Sequence, residues 1–327
     1  MEAQLRWRPI EERDAAQWAE LMASIEAADQ AGESWSEPDL REEFDDPRHD
    51  FARGSAAVFD GITMIGFCVL SEPAGQDQDA EHRVRQRGGV RPGCRGRGIG
   101  QQLMAWAEQT AIPLYLAGHA GRALVLEGTC LEQDAGATAL FAANGYRPAR
   151  RFHRMSMTLA AGPAPDLAPG EVPGEVTVRG FTSELAADGL SVRNESFANH
   201  WAPHTMTGQE WAHFLGYNVF RPRFSFLAYA RGAPVSLLMS HEYDARTAAT
   251  GNRELYVALV GTVPAWRGRG IATALLSRAL AAAAADGFVS SSLTVDADSP
   301  TGAVGVYSRL GFAVAGTTVS YEKPLGA

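Results

Sequence analysis

The sequence predicts an α/β (α+β) fold built twice, as two tandem domains that each wrap helices around a mixed central sheet. Three observations lead there. First, an apolar, largely β-branched run (Val257, Leu259, Val260, Val263) stops at Pro264, passes through Arg267-Gly268-Arg269-Gly270, and enters an Ala/Leu-rich stretch without proline as far as Gly287. That order reads as strand, glycine turn, helix. Second, the pattern P-x-x-R-G-R-G-I occurs at Pro92–Ile99 and again at Pro264–Ile271. Third, the strand and helix signals around the two copies follow the same order, as expected of an internal duplication.

In the first half, Leu5–Pro9 is a short strand. From Asp14, the apolar residues Trp18, Leu21, Met22 and Ile25 recur at helical spacing. Ser36 is placed to cap a second helix with Pro38 in its first turn. Ala56–Phe59 and Thr63–Leu70 flank Asp60-Gly61, a hairpin signal. Glu81–Val90 is the central strand. Its Arg83, Arg85 and Arg87 alternate, so they share one face. Three arginines cannot line a dry core; either they face an anion in the cleft, or they are solvated or paired with acidic residues of the other domain. Gly98–Ala111 is the helix after the glycine loop, Ala123–Glu127 the next strand, Ala135–Asn144 a helix and Arg150–Leu159 the closing strand. Four prolines and three glycines between Ala160 and Glu175 mark a linker. The expected domains are therefore residues 1–159 and 176–327, joined by 160–175.

The second half repeats the order. Val176–Arg179 is a strand and Glu184–Phe197 a helix. Thr207 with Glu210 is a capping box for a helix through Tyr217. Phe224–Tyr229 and Val235–Glu242 form a hairpin turning at Gly232. Glu254–Val263 is the central strand, Gly268–Ala285 the long helix, Ser290–Asp296 a strand, Thr301–Leu310 a short helix and Thr317–Lys323 the closing strand.

The composition narrows the function. At 327 residues with a 46% hydrophobic share, two ordinary cores can be filled. A formal net charge of −9 argues against nucleic acid or an anionic membrane as partner. Three cysteines (Cys68, Cys94, Cys130), all in the first half, are not a disulfide framework and point to a reducing, cytoplasmic setting. The charged N-terminus is no signal peptide. The apolar run Leu255–Trp266 falls short of the roughly 20 residues of a membrane span. No ligand spacing suggests a metal, so none is expected. Glycines that fold the backbone closely, followed by the free N–H groups and positive end of a helix, make an anion site suited to a pyrophosphate.

The order R-x-x-G-x-A (Arg267, Gly270, Ala272) after a strand-ending proline resembles motif A of the GNAT acyltransferases. The duplicated core P-x-x-R-G-R-G-I, and the run R-N-E-S-F-A-N-H at Arg193–His200, resemble tandem-domain members of that family. The resemblance implies acetyl-CoA, or another acyl-CoA, as co-substrate and a small-molecule amine as acceptor. It implies that the backbone around Val260, Thr262 and Val263 holds the pantetheine arm and thioester oxygen, and that Arg267, Gly268, Arg269, Gly270, Ile271 and Ala272 hold the pyrophosphate. The first-half counterparts are Val90, Arg95, Gly96, Arg97, Gly98 and Gly100.

The family carries a tyrosine four residues before a Gly-aromatic pair, as acid toward the departing thiolate. Tyr307 holds that position in the second half. Phe141 holds it in the first and cannot donate a proton. The second half is therefore expected to be catalytic and the first to bind cofactor without turnover. Glu254, at the start of the central strand, is the expected general base; a small register change would put Tyr256 there. Glu242 is the other carboxylate within reach of the acceptor. His200, Trp201 and His204, in the connection after the first helix, are expected to line the acceptor pocket. Two other readings stay open: a protein that senses acetyl-CoA without turnover, and an acetyltransferase acting on peptides. The oligomeric state is not read from sequence.

Overall fold

The computed structural model describes residues 5–72, 81–115, 122–159, 172–198, 204–299 and 302–325. In chain order the first elements are β1 (Arg6–Arg8), α1 (Ala15–Asp29), α2 (Glu37–Glu42), α3 (Phe51–Gly54), β2 (Ser55–Asp60), β3 (Thr63–Ser71), β4 (His82–Val90), α4 (Ile99–Tyr115), β5 (Leu124–Leu131), α5 (Ala135–Ala143) and β6 (Arg147–Thr158). The remainder are β7 (Val176–Gly180), α6 (Ala186–Phe197), α7 (Gly208–Gly216), β8 (Phe226–Ala230), β9 (Ala233–His241), α8 (Asp244–Thr250), β10 (Glu254–Thr262), α9 (Ile271–Ala285), β11 (Ser290–Asp296), α10 (Ala303–Arg309) and β12 (Ala313–Leu325).

The chain divides into two compact units: Met1–Arg151 together with Thr317–Ala327, and Phe152–Gly316. In the first unit the strands run β1-β2-β3-β4-β5-β12. Every pair is antiparallel except β4 with β5. In the second unit the order is β7-β8-β9-β10-β11-β6, and only β10 with β11 is parallel. The two sheets share one topology, as the repeat predicts. The units differ from the sequence-derived domains at their closing strands. Phe152–Thr158 of β6, expected to close the first half, instead pair with β11, from Asp296↔Phe152 to Ser290↔Thr158. Thr318–Leu325 of β12 pair with β5. Hydrophobic pattern marks a strand but not which sheet receives it, so this exchange left no local signal.

The buried strands of the first unit have apolar residues on both faces. On β2, Ala57 and Phe59 join Trp18 and Leu21 of α1, while Ala56 and Val58 join Ile99 and Leu103 of α4. A strand packed on both faces reads as a continuous apolar run. In the second unit, Ile271, Leu275, Ala279 and Ala283 of α9 recur at helical spacing and lie in one buried cluster with Leu238, Leu255 and Leu293.

Local signals placed several ends. Ser36 and Asp39 form a reciprocal cap on α2, and Thr207 and Glu210 do the same on α7. The arginine row of β4 is paired: Arg83 with Glu127 and Glu322, Arg85 with Glu127 at 3.3 Å, Arg87 with Glu43 at 2.5 Å. Glu322 comes from the far end of the sequence but belongs to this unit. Among the described residues no helix is long and apolar enough to cross a membrane.

Candidate active site

The second unit contains a wedge. β10 pairs with β11 from Glu254↔Ser290 to Val257↔Leu293, and then the two diverge. Beyond that point β11 stays paired with β6 and β10 with β9. At the apex the β9–β10 register slips between Val257 and Leu259, so Ala258 is an extra residue, a bulge. A bulge re-aims backbone groups, and here it lies where the parallel ladder ends.

The wedge opens toward the glycine loop. After Val263 comes a tight turn, Pro264–Trp266, then Arg267, Gly268, Arg269 and Gly270. Gly268 and Gly270 adopt φ of 72° and 77°, a region that strongly favours glycine. Gly270 caps α9 without a side-chain acceptor, so the first-turn N–H groups of Ile271 and Ala272 are left to an anion. Arg267 donates to Thr262 O at 3.1 Å and Ser196 O at 2.8 Å, tying the loop to the end of β10 and to α6. The guanidinium of Arg269 lies 4.5 Å over Trp266. The Val263 N–H donates to Val235 O, so of the three backbone positions expected to face the cofactor this one is already used within the sheet. Thr262 likewise shares its hydroxyl with Ser236 at 2.9 Å.

Tyr307 sits on α10 with its ring edge-on to Phe312, centroids 6.1 Å apart. Burial pushes its hydroxyl up to about 12, so it stays protonated at neutral pH and is suited to donate.

The carboxylates expected on the acceptor side are held by arginines. Glu254 is buried and accepts from Ser292 Oγ at 2.7 Å, with Arg246 at 2.9 Å and Arg154 at 3.3 Å. Three donors thus fix the orientation of Glu254, the residue expected as general base. Glu242 accepts from Arg253 at 2.6 Å and Arg221 at 2.9 Å. Burial raises its pKa, but the hydrogen bonds and charges of Arg253 and Arg221 outweigh it and hold the carboxyl below its ordinary range. Glu242 thus ties the end of β9 to the start of β10 and to the turn before β8. His204 is engaged too: Arg193 donates to its carbonyl at 2.7 Å and lies 3.3 Å from its Nε2, while Asn194 holds Met206 through backbone N–H and carbonyl. The R-N-E-S-F run therefore clamps the segment entering α7. His200 and Trp201 lie outside the described residues. Tyr256, the alternative to Glu254, meets Thr294 Oγ1 at 3.3 Å across the β10–β11 pair. Arg154 and Arg246, which sequence reasoning missed, come from β6 and from α8, an element without a clear periodic signal.

The first unit keeps the loop and the diverging strand pair but not the bulge. Gly96 and Gly98 have φ of 75° and 80°, matching the second unit. The β3–β4 register runs from Gly66↔Val90 to Ser71↔Arg85 without a bulge. Parallel pairing with β5 ends at Gln86↔Gly128. Phe141 lies at that point: a Cβ on Gly128 would stand 2.7 Å from its ring. Phe141 stacks on Tyr321 at 4.7 Å and meets Tyr146 edge-on at 5.3 Å, while Gln86 donates to the Tyr146 hydroxyl at 2.8 Å. Arg87 lies over Trp18 and Trp35. Among the described residues of the chain, no group of three or more His, Cys, Asp or Glu could hold a metal ion.

A glycine loop feeding a helix beside a diverging parallel strand pair, present twice, defines a tandem acyl-CoA-dependent transferase, and the chain belongs to the GNAT acetyltransferase family. The model of the acetyltransferase (GNAT) family matches residues 190–312, and that of the acetyltransferase (GNAT) domain matches residues 55–148. The chain is accordingly an N-acetyltransferase of that family. It is 32% identical over 340 residues to the mycothiol acetyltransferase of Mycobacterium avium, covering 98% of each chain. It is 30% identical to that of Streptomyces avermitilis, covering 80% of this chain and 77% of the relative. In fold it is similar to a GCN5-related N-acetyltransferase from Sphaerobacter thermophilus, with a TM-score of 0.75 and 23% identity over 99% and 96% of the two chains. It is also similar to a tandem GNAT protein from the clavulanic acid biosynthesis pathway, with a TM-score of 0.73 and 20% identity over 99% of both.

Proposed function

We propose that the second unit transfers an acetyl group from acetyl-CoA to the primary amine of a small molecule by direct attack on the thioester, and that the first unit does not turn over. One contrast carries the reading. The second unit combines a bulge, an open wedge and a tyrosine on α10; the first lacks the bulge and has Phe141 packed into its apex.

Acetyl-CoA supplies the thioester. The loop Arg267–Gly270 and the first turn of α9 fit its pyrophosphate, and the backbone from Ala258 to Thr262 fits the pantetheine arm. Amides near the Ala258 bulge are the groups suited to stabilise charge on the thioester oxygen. Tyr307 holds the proton that neutralises the leaving sulfur. Glu254, fixed by Ser292, Arg154 and Arg246, accepts an N–H of the acceptor, aims its lone pair and takes the proton that the nitrogen loses as the C–N bond forms and the C–S bond breaks.

The relatives are named for mycothiol, so the amine precursor of a thiol-bearing conjugate heads the list of acceptors to try. Fold likeness alone does not fix that choice. The three cysteines are free, which agrees with a reducing, cytoplasmic setting. The test is a transfer assay read by mass spectrometry, with purified protein, acetyl-CoA and a mixed panel of amino sugars, cysteinyl conjugates, polyamines and short peptides. One small amine should gain an acetyl group. Acetylation of peptides alone would overturn the acceptor class, and acetyl-CoA binding without transfer to any member would favour a sensor.

A further inference from the structure

His241 closes β9 and is buried, with neither ring nitrogen hydrogen-bonded among the described residues. It is ringed by Phe214 at 5.0 Å, Tyr217 at 6.4 Å, Phe220 at 6.3 Å, Tyr243 at 6.1 Å and Tyr256 at 6.5 Å between centroids. An unpaired buried polar group is destabilising, so a core that retains one calls for a partner. Burial and then the charge of Arg221 push the imidazole down to about 3, so it is neutral at physiological pH. A neutral imidazole offers one donor and one acceptor.

Its position ties it to the wedge. His241 pairs across the strands with Tyr256, whose hydroxyl meets Thr294 of β11. The bulge at Ala258 is two residues further along β10, about 7 Å at strand rise. Three half-buried tyrosines, Tyr217, Tyr243 and Tyr256, stand around the imidazole. Aromatic faces attract an ammonium, and a neutral imidazole accepts its hydrogen bond without repelling it.

Resting on the function proposed above, we propose that His241 is a specificity-determining residue of the second unit. It takes a hydrogen bond from a ring-bearing primary amine whose ring packs among the tyrosines. The imidazole positions the acceptor; the proton of the amine leaves by another route.

The test compares His241→Phe and His241→Asn with the parent protein. Phenylalanine fills the same space without a polar atom, so His241→Phe should fold with equal or greater thermal stability and bind acetyl-CoA unchanged. The KM of the acetylated amine should nevertheless rise about tenfold or more, with kcat changed less, and His241→Asn should recover part of the loss. Independently of turnover, benzylamine added to protein carrying 15N-labelled histidine should shift the ring-nitrogen resonances that vanish in His241→Phe. Unchanged KM together with unmoved resonances would mean that a water or plain packing satisfies the ring, and would overturn the proposal. Absence of transfer with the resonances still shifting would sink the proposed function and leave the amine site standing.

Discussion

Arg95 and Asp29 form a two-point ion pair, Nη1 to Oδ1 at 2.7 Å and Nη2 to Oδ2 at 2.6 Å. Its counterpart in the second unit, Arg267, donates among the described residues only to backbone carbonyls. A bidentate carboxylate neutralises the cation that opens the first loop, whereas Arg267 meets no carboxylate among the described residues. Replacing Arg267 by alanine should therefore raise the KM for acetyl-CoA about tenfold or more, the scale of one charge-assisted hydrogen bond and its anchoring role. Arg95→Ala should leave steady-state acetylation within about twofold. Steady-state kinetics on both variants decides it; an equal loss in the two would place turnover in both units.

Tyr307→Phe removes a proton donor and keeps the ring. Its kcat should fall about a hundredfold or more, the usual weight of general acid catalysis, while calorimetry shows unchanged acetyl-CoA affinity. Adding Phe141→Tyr to that variant should restore nothing, because the first unit still lacks the bulge. Recovery of activity in the double variant would refute the assignment of roles.

Glu242 gives a pH-dependent prediction. Its carboxyl is held below the ordinary range in the folded protein, burial being outweighed by Arg253 and Arg221. A group depressed on folding contributes stability above its unfolded pKa and loses it as pH falls through its folded one. Glu242→Ala should cost about 2 kcal/mol at neutral pH. The gap in melting temperature between parent and variant should narrow below the usual glutamate range. A gap independent of pH would show that Glu242 acts through packing alone.

Gly261 marks where α6 meets β10. A Cβ there would stand 2.8 Å from Ser196 Cβ and 3.1 Å from the Phe197 ring. Gly261→Ala should destabilise the fold by about 1–3 kcal/mol through overpacking. Because Ser196 also receives Arg267, the same change should weaken acetyl-CoA binding, which distinguishes it from an overpacked site elsewhere in the core.

What the sequence disclosed is what short-range chemistry specifies. The glycine loop, the caps at Thr207 and Ser36 and the hairpin at Asp60-Gly61 each rest on residues a few positions apart. In the candidate site the same holds for the loop: the order Arg267, Gly268, Gly270 is local, and both glycines take the positive φ it calls for. The surroundings of Glu254 are not local, since Arg154 lies a hundred positions upstream, and no pattern at Glu254 reveals that two arginines will meet it. α3 and α8 escaped because helices of 4 and 7 residues are too short to display a period. The aromatic ring around His241 is assembled from α7, the turn after it, the turn after β9 and β10, and becomes visible only when the sheet forms.

The exchange of closing strands sets an order of events during synthesis. Domains generally fold as units as the chain emerges, the amino-terminal one first. Here the amino-terminal unit lacks a strand of its sheet until Thr318–Leu325 has been made, while the second unit needs only segments already translated by Gly316. The ribosome therefore delivers a completed carboxy-terminal sheet before the amino-terminal one can close, and β5 waits with an unpaired edge for most of translation. A chain interrupted at residues 160–175 would release a fragment missing the strand that finishes its sheet.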